Sequence, residues 1–126
     1  MAKYTVNQIC YFSAAHILRD YPEACERLHG HNYKVIIEVS ANQLDHLGMV
    51  LDYVVIQNIA NKYISIIDHQ FLNNIPPFDK TLNPTAENVA AWLYQKMATD
   101  INNNRVTLES ITIWETDHNY VKYQPN

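Results

Sequence analysis

An α+β fold of two strands, two helices and two further strands is predicted for this 126-residue chain, on three observations. Apolar residues recur with period two near both ends of the chain and with period 3.6 through its middle. No internal repeat, low-complexity tract or linker divides the chain, so residues 1–126 form one domain. The two glycines in the whole sequence leave little room for long flexible segments.

The first strand is read in residues 4–15 (YTVNQICYFSAA) and the second in residues 31–40 (HNYKVIIEVS), both rich in β-branched and aromatic side chains. In the second, Tyr33, Val35, Ile37 and Val39 alternate with Asn32, Lys34, Ile36 and Glu38, giving one wetter face. The segment between them, HILRDYPEACERLHG, is too irregular for a hairpin turn, and long loops in compact domains are often functional. From Tyr53 the period changes: Ile56, Ile59, Ala60, Tyr63, Ile64 and Ile67 mark the core face of an amphipathic helix. After the loop NNIPPFDKTLNP, Thr85 is an N-cap with Glu87 in the first turn. Ala86, Val89, Leu93 and Met97 then form the apolar stripe of a second helix. Residues 106–115 (VTLESITIWE) and 119–124 (NYVKYQ) return to strand composition.

The net charge of −4 argues against nucleic-acid or anionic-membrane partners. A small anionic ligand needs only a few local cations and is not excluded. No stretch approaches the ~20 apolar residues of a membrane span. The opening MAKYTVNQIC lacks a secretory pattern, so the cytoplasm is expected. Cys10 and Cys25 are then free thiols rather than a disulfide.

Several residues carry chemistry. On a strand, residues two apart share a face, so a strand already formed at His29 would set the imidazoles of His29 and His31 side by side. His16, at the end of the first strand, would lie near them if the two strands pair antiparallel. Catalytic zinc takes three protein ligands and keeps an open position, and these three histidines fit that count. An H-x-H pair by itself is equally a pair of surface or core histidines. Asp68 precedes His69, and a carboxylate beside an imidazole fixes its tautomer and raises its basicity; the same pair also serves as simple capping. Glu115 is either a solvated strand end or an acceptor for a ligand's N–H groups. Cys25 near a metal would have a lowered pKa suited to a base or nucleophile. Glu26 reads equally as a surface charge beside Arg27.

Taken in order, FSAAH, C-x-x-x-HGHNY, GMVLDY, DHxxLN, NPTAEN and WET run from residue 12 to residue 116. This series resembles the 6-pyruvoyltetrahydropterin synthase / 6-carboxytetrahydropterin synthase family. The resemblance implies a tunnelling fold (T-fold), with an antiparallel sheet, two helices on one face, and strands of several subunits joined into a barrel. It implies a trimer or hexamer with sites at subunit interfaces. It implies His16, His29 and His31 as zinc ligands, Cys25 as the proton-abstracting base, and Asp68 with His69 as the catalytic pair. Glu115 would anchor a pterin ring and join the relay, and Thr85 and Glu87 would contact the pterin edge. The implied substrate is 7,8-dihydroneopterin triphosphate; Arg19, Arg27, Lys34 and Lys80 are candidates for its phosphates.

The spacing C-x3-HGH and the aspartate of GMVLDY resemble the bacterial 6-carboxy-5,6,7,8-tetrahydropterin synthases of queuosine biosynthesis, which release acetaldehyde and triphosphate. The sequence CERLHGH also resembles a subgroup in which glutamate at the position of Glu26 supports side-chain cleavage to 6-hydroxymethyl-7,8-dihydropterin for folate synthesis. The alternatives are 6-pyruvoyltetrahydropterin synthase activity, or a non-catalytic pterin-binding T-fold module with a structural zinc.

Overall fold

The computed structural model describes residues 2–20 and 27–126. Its elements are β1 (Tyr4–His16), β2 (His29–Ala41), α1 (Tyr53–Ile67), β3 (Gln70–Phe71), α2 (Ala86–Ile101), β4 (Val106–Thr116) and β5 (Asn119–Tyr123). The expected order holds, with one addition: the two-residue β3 and a short 3-10 turn at Leu72–Asn74 stand between the helices. No two-residue element leaves a periodicity to read. The sheet order is β3-β1-β2-β4-β5. β1, β2, β4 and β5 pair antiparallel, whereas β3 runs parallel to β1 at Ala14 and Ala15.

Alternation decides which face is covered. Val35, Ile37 and Val39 of β2 are fully buried beneath the helices. On the sheet's other face Asn32 is exposed, and Lys34, Ile36 and Glu38 are half-buried. α1 contributes Ile56, Ala60, Ile64 and Ile67 to the core, and α2 contributes Val89, Leu93 and Met97 among others. These are the stripes that the 3.6 period marks. Ile59 and Tyr63 sit at the margin instead, where the Tyr63 hydroxyl donates to Asp100 at 2.7 Å across to α2. Both helices start on side-chain caps: Asp52 accepts from the Val54 N–H and Thr85 from the Asn88 N–H.

Two irregularities mark β4, one at Glu109 opposite β2 and one at Glu115 opposite β5, and the first sets which side of the sheet the following residues face. Glu38 pairs with Ser110 but Val39 pairs with Leu108, so Glu109 is an extra residue in β4. The bulge shifts the alternation by one residue. Leu108 before it and Ile111 and Ile113 after it all face the core. By the same alternation Glu115 falls on the helix side of the sheet, the side of His16, His29 and His31.

Loop segments are held by amides. Asn73 donates to the Ile17 carbonyl and accepts from the Ile17 N–H, each at 2.9 Å, as a neighbouring strand would. Asn83 does the same for Arg19, at 2.8 and 3.0 Å. Arg105 donates to the carbonyls of Gln43, Met49 and Val50 and ties the loop before α1 to the start of β4.

Truncation should separate the two kinds of position. Ile37→Ala, at the centre of the core, is expected to lower the unfolding free energy by about 2–5 kcal/mol. Thr107→Ala, exposed on β4, should change it by no more than about 0.5 kcal/mol. Urea denaturation of both variants checks the face assignment; equal losses would contradict it.

Candidate metal centre and its surroundings

The register of β1 against β2 builds the site. His16 stands directly opposite His29, and Ala14 opposite His31, so all three imidazoles project from one face at the same end of the hairpin. The small Ala14 leaves the room that His31 fills. Gly30, between the two histidines of β2, has a reason to be glycine: a Cβ there would meet the Ala14 carbonyl oxygen at 3.3 Å. Their ring centroids lie 4.4, 5.4 and 5.0 Å apart, above the stacked pair Phe12–Tyr33.

Hydrogen bonds fix which nitrogen points inward. His16 Nδ1 lies 2.7 Å from the Pro84 carbonyl and His29 Nδ1 lies 2.8 Å from the Arg27 carbonyl. A carbonyl can only accept, so each Nδ1 carries the proton and each Nε2 presents a lone pair. Those two Nε2 atoms are 2.8 Å apart. Two lone pairs at that separation repel unless a cation lies between them. His31 Nε2 is buried without a hydrogen-bond partner, and its nearest charged group is Glu115 Oε1 at 3.8 Å. One ligand atom from each ring falls within 4.8 Å of the others. Three nitrogens bound tetrahedrally at ~2.0–2.1 Å would be roughly 3.3 Å apart, inside this span. The donor set therefore fits a metal ion, and the two backbone carbonyls are the outer groups that orient metal-bound imidazoles.

Burial pushes the His16 pKa down, partly offset by the Pro84 hydrogen bond. Burial also lowers the pKa of His31, against an opposing pull from Glu115. Both shifts favour the neutral ring, which is the ligating form. Burial raises the Tyr33 pKa, with Glu115 adding to it, so the phenol stays protonated.

Glu115 also lines a second recess, of about 270 Å³, with Glu87, Ala86, Ile113 and Asn119. The structure thus brings Glu87 and Glu115 together next to the histidines. Thr85 lies at the α2 terminus, where its hydroxyl oxygen caps Asn88, immediately after the carbonyl that orients His16.

Asp68 and His69 are placed differently. Asp68 Oδ1 accepts from the Ser13 N–H at 2.9 Å and lies 2.9 Å from His69 Nδ1. His69 has φ 60°, the left-handed region, and its N–H donates to the Ser13 carbonyl at 2.6 Å. Non-glycine residues held in this region cluster at functional sites. Nδ1 is directed at the carboxylate, so Nε2 is the outward nitrogen of an exposed ring. The ring flanks a groove of about 470 Å³ lined by Ser13, Ala15, Gly30 and Asn32 and touching His31. Those four residues alternate with Ala14, His16, His29 and His31, so within one chain His69 stands across the hairpin from the three imidazoles. Cys25 and Glu26 lie outside the described residues.

Sequence reasoning missed the carbonyls of Pro84 and Arg27, and the amide clamps at Asn73 and Asn83. Only the repeated asparagines of LNN and NPTAEN hinted at the clamps. It also offered Arg19 as one of four candidate cations for the phosphates. Its guanidinium donates to the carbonyls of Phe78 and Leu82. Lys34 extends from the sheet face opposite the histidines.

A largely antiparallel sheet backed by two helices, with three imidazoles converging at one end of its β1–β2 pair, defines a T-fold protein with a site able to hold a metal ion. The family model for 6-pyruvoyl tetrahydropterin synthase matches residues 5–126. The chain is 31% identical to the 6-carboxy-5,6,7,8-tetrahydropterin synthase of Bacillus subtilis (strain 168), covering 97% of this chain and 86% of that protein. It is 32% identical to the enzyme of the same name from Rickettsia typhi, covering 88% and 93% of the two chains. The structure of Caenorhabditis elegans 6-pyruvoyl tetrahydropterin synthase superposes with a TM-score of 0.86 at 27% identity, over 100% of this chain and 98% of that one. The chain belongs to the 6-pyruvoyl tetrahydropterin synthase family. No helix among the described residues is long and apolar enough to cross a membrane.

Two outcomes are expected. His29→Ala should weaken divalent-metal binding by about 100-fold or more, measured by competition with a chromogenic chelator; unchanged affinity would contradict the site. The lowered pKa values of His16 and His31 mean that the folded chain binds fewer protons than the unfolded chain just below about pH 6.5, so stability rises with pH there. Metal-stripped protein should accordingly show a lower urea midpoint at about pH 5.5 than at about pH 7.5; a higher one would contradict the burial of neutral rings.

Proposed function

We propose that this protein is a zinc-dependent lyase that converts 7,8-dihydroneopterin triphosphate to 6-carboxy-5,6,7,8-tetrahydropterin, releasing acetaldehyde and triphosphate. The observation that carries the reading is the convergence of the Nε2 lone pairs of His16 and His29, with His31 and Glu115 beside them. Relatives named for this activity, at 31% and 32% identity, support the choice of product. The C-x3-HGH spacing and the aspartate of GMVLDY support it too.

His16, His29 and His31 would hold the zinc. Zinc, when bound, supplies a Lewis acid that acidifies a carbon-bound proton next to a coordinated hydroxyl. The chain's own groups do the rest. Cys25, as thiolate, takes the carbon-bound proton, and His69 moves protons at its outward Nε2 while Asp68 holds the ring. Glu115 accepts hydrogen bonds from the pterin ring's amino and N–H groups, a charge-assisted pairing. Glu87 borders the same recess, Thr85 caps the helix that carries it, and both contact the ring edge. Glu26 adds a carboxylate base next to Cys25, suited to oxygen-directed retro-aldol cleavage that gives 6-hydroxymethyl-7,8-dihydropterin as a second product.

The site requires more than one copy. His69 stands across the hairpin from the imidazoles, and among the described residues β1 is paired at its outer edge only where β3 reaches Ala14 and Ala15. β5 is the sheet's other edge. Edges with unpaired backbone groups favour strand addition. A trimer or hexamer joined through them, with sites at subunit interfaces, would supply the catalytic pair from a neighbour.

Zinc-loaded protein incubated with 7,8-dihydroneopterin triphosphate should yield 6-carboxytetrahydropterin by mass spectrometry. Cys25→Ala should cut its formation by about 100-fold or more, as loss of a general base does. Full activity in that variant would remove Cys25 as the base. Loss of the 6-hydroxymethyl product in Glu26→Gln, with the carboxylated product retained, is the result expected of the second activity. A wild-type reaction that forms no 6-hydroxymethyl product would dispose of that activity.

A further inference from the structure

We propose that Asn83 is a positioning residue for the metal centre: by clasping Arg19 it fixes the Pro84 carbonyl, which selects the nitrogen of His16 that is free to ligate. The inference rests on the reading of His16, His29 and His31 as metal ligands and is independent of the lyase reaction. Four hydrogen bonds make the clasp. The Asn83 side chain accepts from the Arg19 N–H at 2.8 Å and donates to the Arg19 carbonyl at 3.0 Å. In return the Arg19 guanidinium donates to the carbonyls of Phe78 and Leu82. Arg19 follows His16 closely in the chain, and Asn83 directly precedes Pro84. The segment leaving His16 is thereby tied to the segment entering α2. The circuit closes where His16 Nδ1 meets the Pro84 carbonyl at 2.7 Å.

That carbonyl has little freedom of its own. The Pro84 ring fixes its own φ and biases Asn83 toward extended backbone, and Pro84 is buried. The Asn83 carbonyl accepts from the Thr85 N–H at 2.8 Å and from the Asn88 side-chain amide at 2.9 Å. Pro84 is therefore held from the α2 cap on one side and from the clasp on the other. The clasp calls for an amide, whose oxygen accepts and whose nitrogen donates; an ionised aspartate offers acceptors alone.

The competing state shows what the clasp prevents. A neutral imidazole carries one proton, on either ring nitrogen, and the partner of one nitrogen decides the state of the other. With its Nδ1–H on the Pro84 carbonyl, His16 keeps a lone pair at Nε2. A ring released from that carbonyl can carry its proton at Nε2 instead. His29 Nε2 lies 2.8 Å away, so the two rings would then join in a hydrogen bond. That bond removes the repulsion between the lone pairs and occupies both ligating nitrogens at once. A metal ion would have to break it and displace a proton before binding. Asn83 makes no hydrogen bond to any of the three imidazoles among the described residues, so its influence passes through Pro84.

The test compares Asn83→Ala with Asn73→Ala in the intact chain. Asn73 is also half-buried and makes the same reciprocal pair of bonds, to Ile17, without a link to Pro84. Both variants should lower the urea midpoint. Metal-free protein at about pH 7.5, where the ring is neutral, is then followed by long-range proton–nitrogen correlation of labelled histidine, with His16 assigned through His16→Gln. Wild type and Asn73→Ala should show His16 protonated at Nδ1, and Asn83→Ala should show protonation at Nε2. Zinc affinity, from competition with a chromogenic chelator, should fall about tenfold in Asn83→Ala, as loss of an outer partner does, and hold at the wild-type value in Asn73→Ala. Asn83→Asp keeps the acceptor, loses the donor and gives the same two readings if the alanine variant does not fold. Either reading unchanged in a folded Asn83 variant, or the same changes in Asn73→Ala, would overturn the proposal. His29→Ala separates the two levels: zinc affinity unchanged there is a failure of the metal centre, whereas the tautomer comparison needs no metal and judges the clasp alone.

Discussion

Two imidazole nitrogens, each with its lone pair directed at the other across 2.8 Å, repel unless a proton or a metal ion is held between them. The surrounding structure nevertheless holds them there. Pro84 and Arg27 carbonyls bind the far nitrogen of each ring and prevent either ring from turning its N–H inward. His16 is 1% exposed, so water cannot screen the repulsion well. The hairpin register, the small residue at Ala14 and the glycine at Gly30 all serve to bring these rings together. The constraint is electrostatic, and a bound metal relieves it.

The rest of the site is set by where the chain is fixed relative to that hairpin. The Glu109 bulge puts Glu115 on the histidine side of the sheet. Without it the same strand would present Glu115 to the opposite face. The α2 N-terminus is docked so that Pro84, Thr85 and Glu87 arrive together beside β1 and β4. Asn83 secures that docking through its reciprocal bonds to Arg19, and Asn73 secures Ile17. The segment leading away from His16 is thus anchored by side-chain amides rather than by a neighbouring strand.

Much of this was legible in the sequence because it rests on period. The alternation of Tyr33, Val35, Ile37 and Val39 and the helical stripe from Ile56 to Ile67 report burial directly. H-G-H shows its geometry once the strand is known to start at His29. The parts that were not legible depend on contacts between distant segments. Backbone carbonyls have no sequence signature, so Pro84 and Arg27 were invisible as partners of His16 and His29. Arg19 looked like a free cation because nothing local shows that the carbonyls of Phe78 and Leu82 would claim it. The bulge left a trace, since the apolar phase slips between Leu108 and Ile111, but a slip alone does not say which residue faces which way. His69 was readable as a partner of Asp68, whereas its position across the hairpin from the imidazoles depends on the left-handed turn after α1.

The central claim is that three imidazole nitrogens, and no thiolate, form the protein's share of the metal's coordination. X-ray absorption at the zinc edge of the loaded protein tests it most directly. The account predicts a first shell of three nitrogen scatterers at about 2.0–2.1 Å, completed by oxygen. A sulfur scatterer at about 2.3 Å would place Cys25 on the metal, contradicting its role as a free base and favouring a closed structural site.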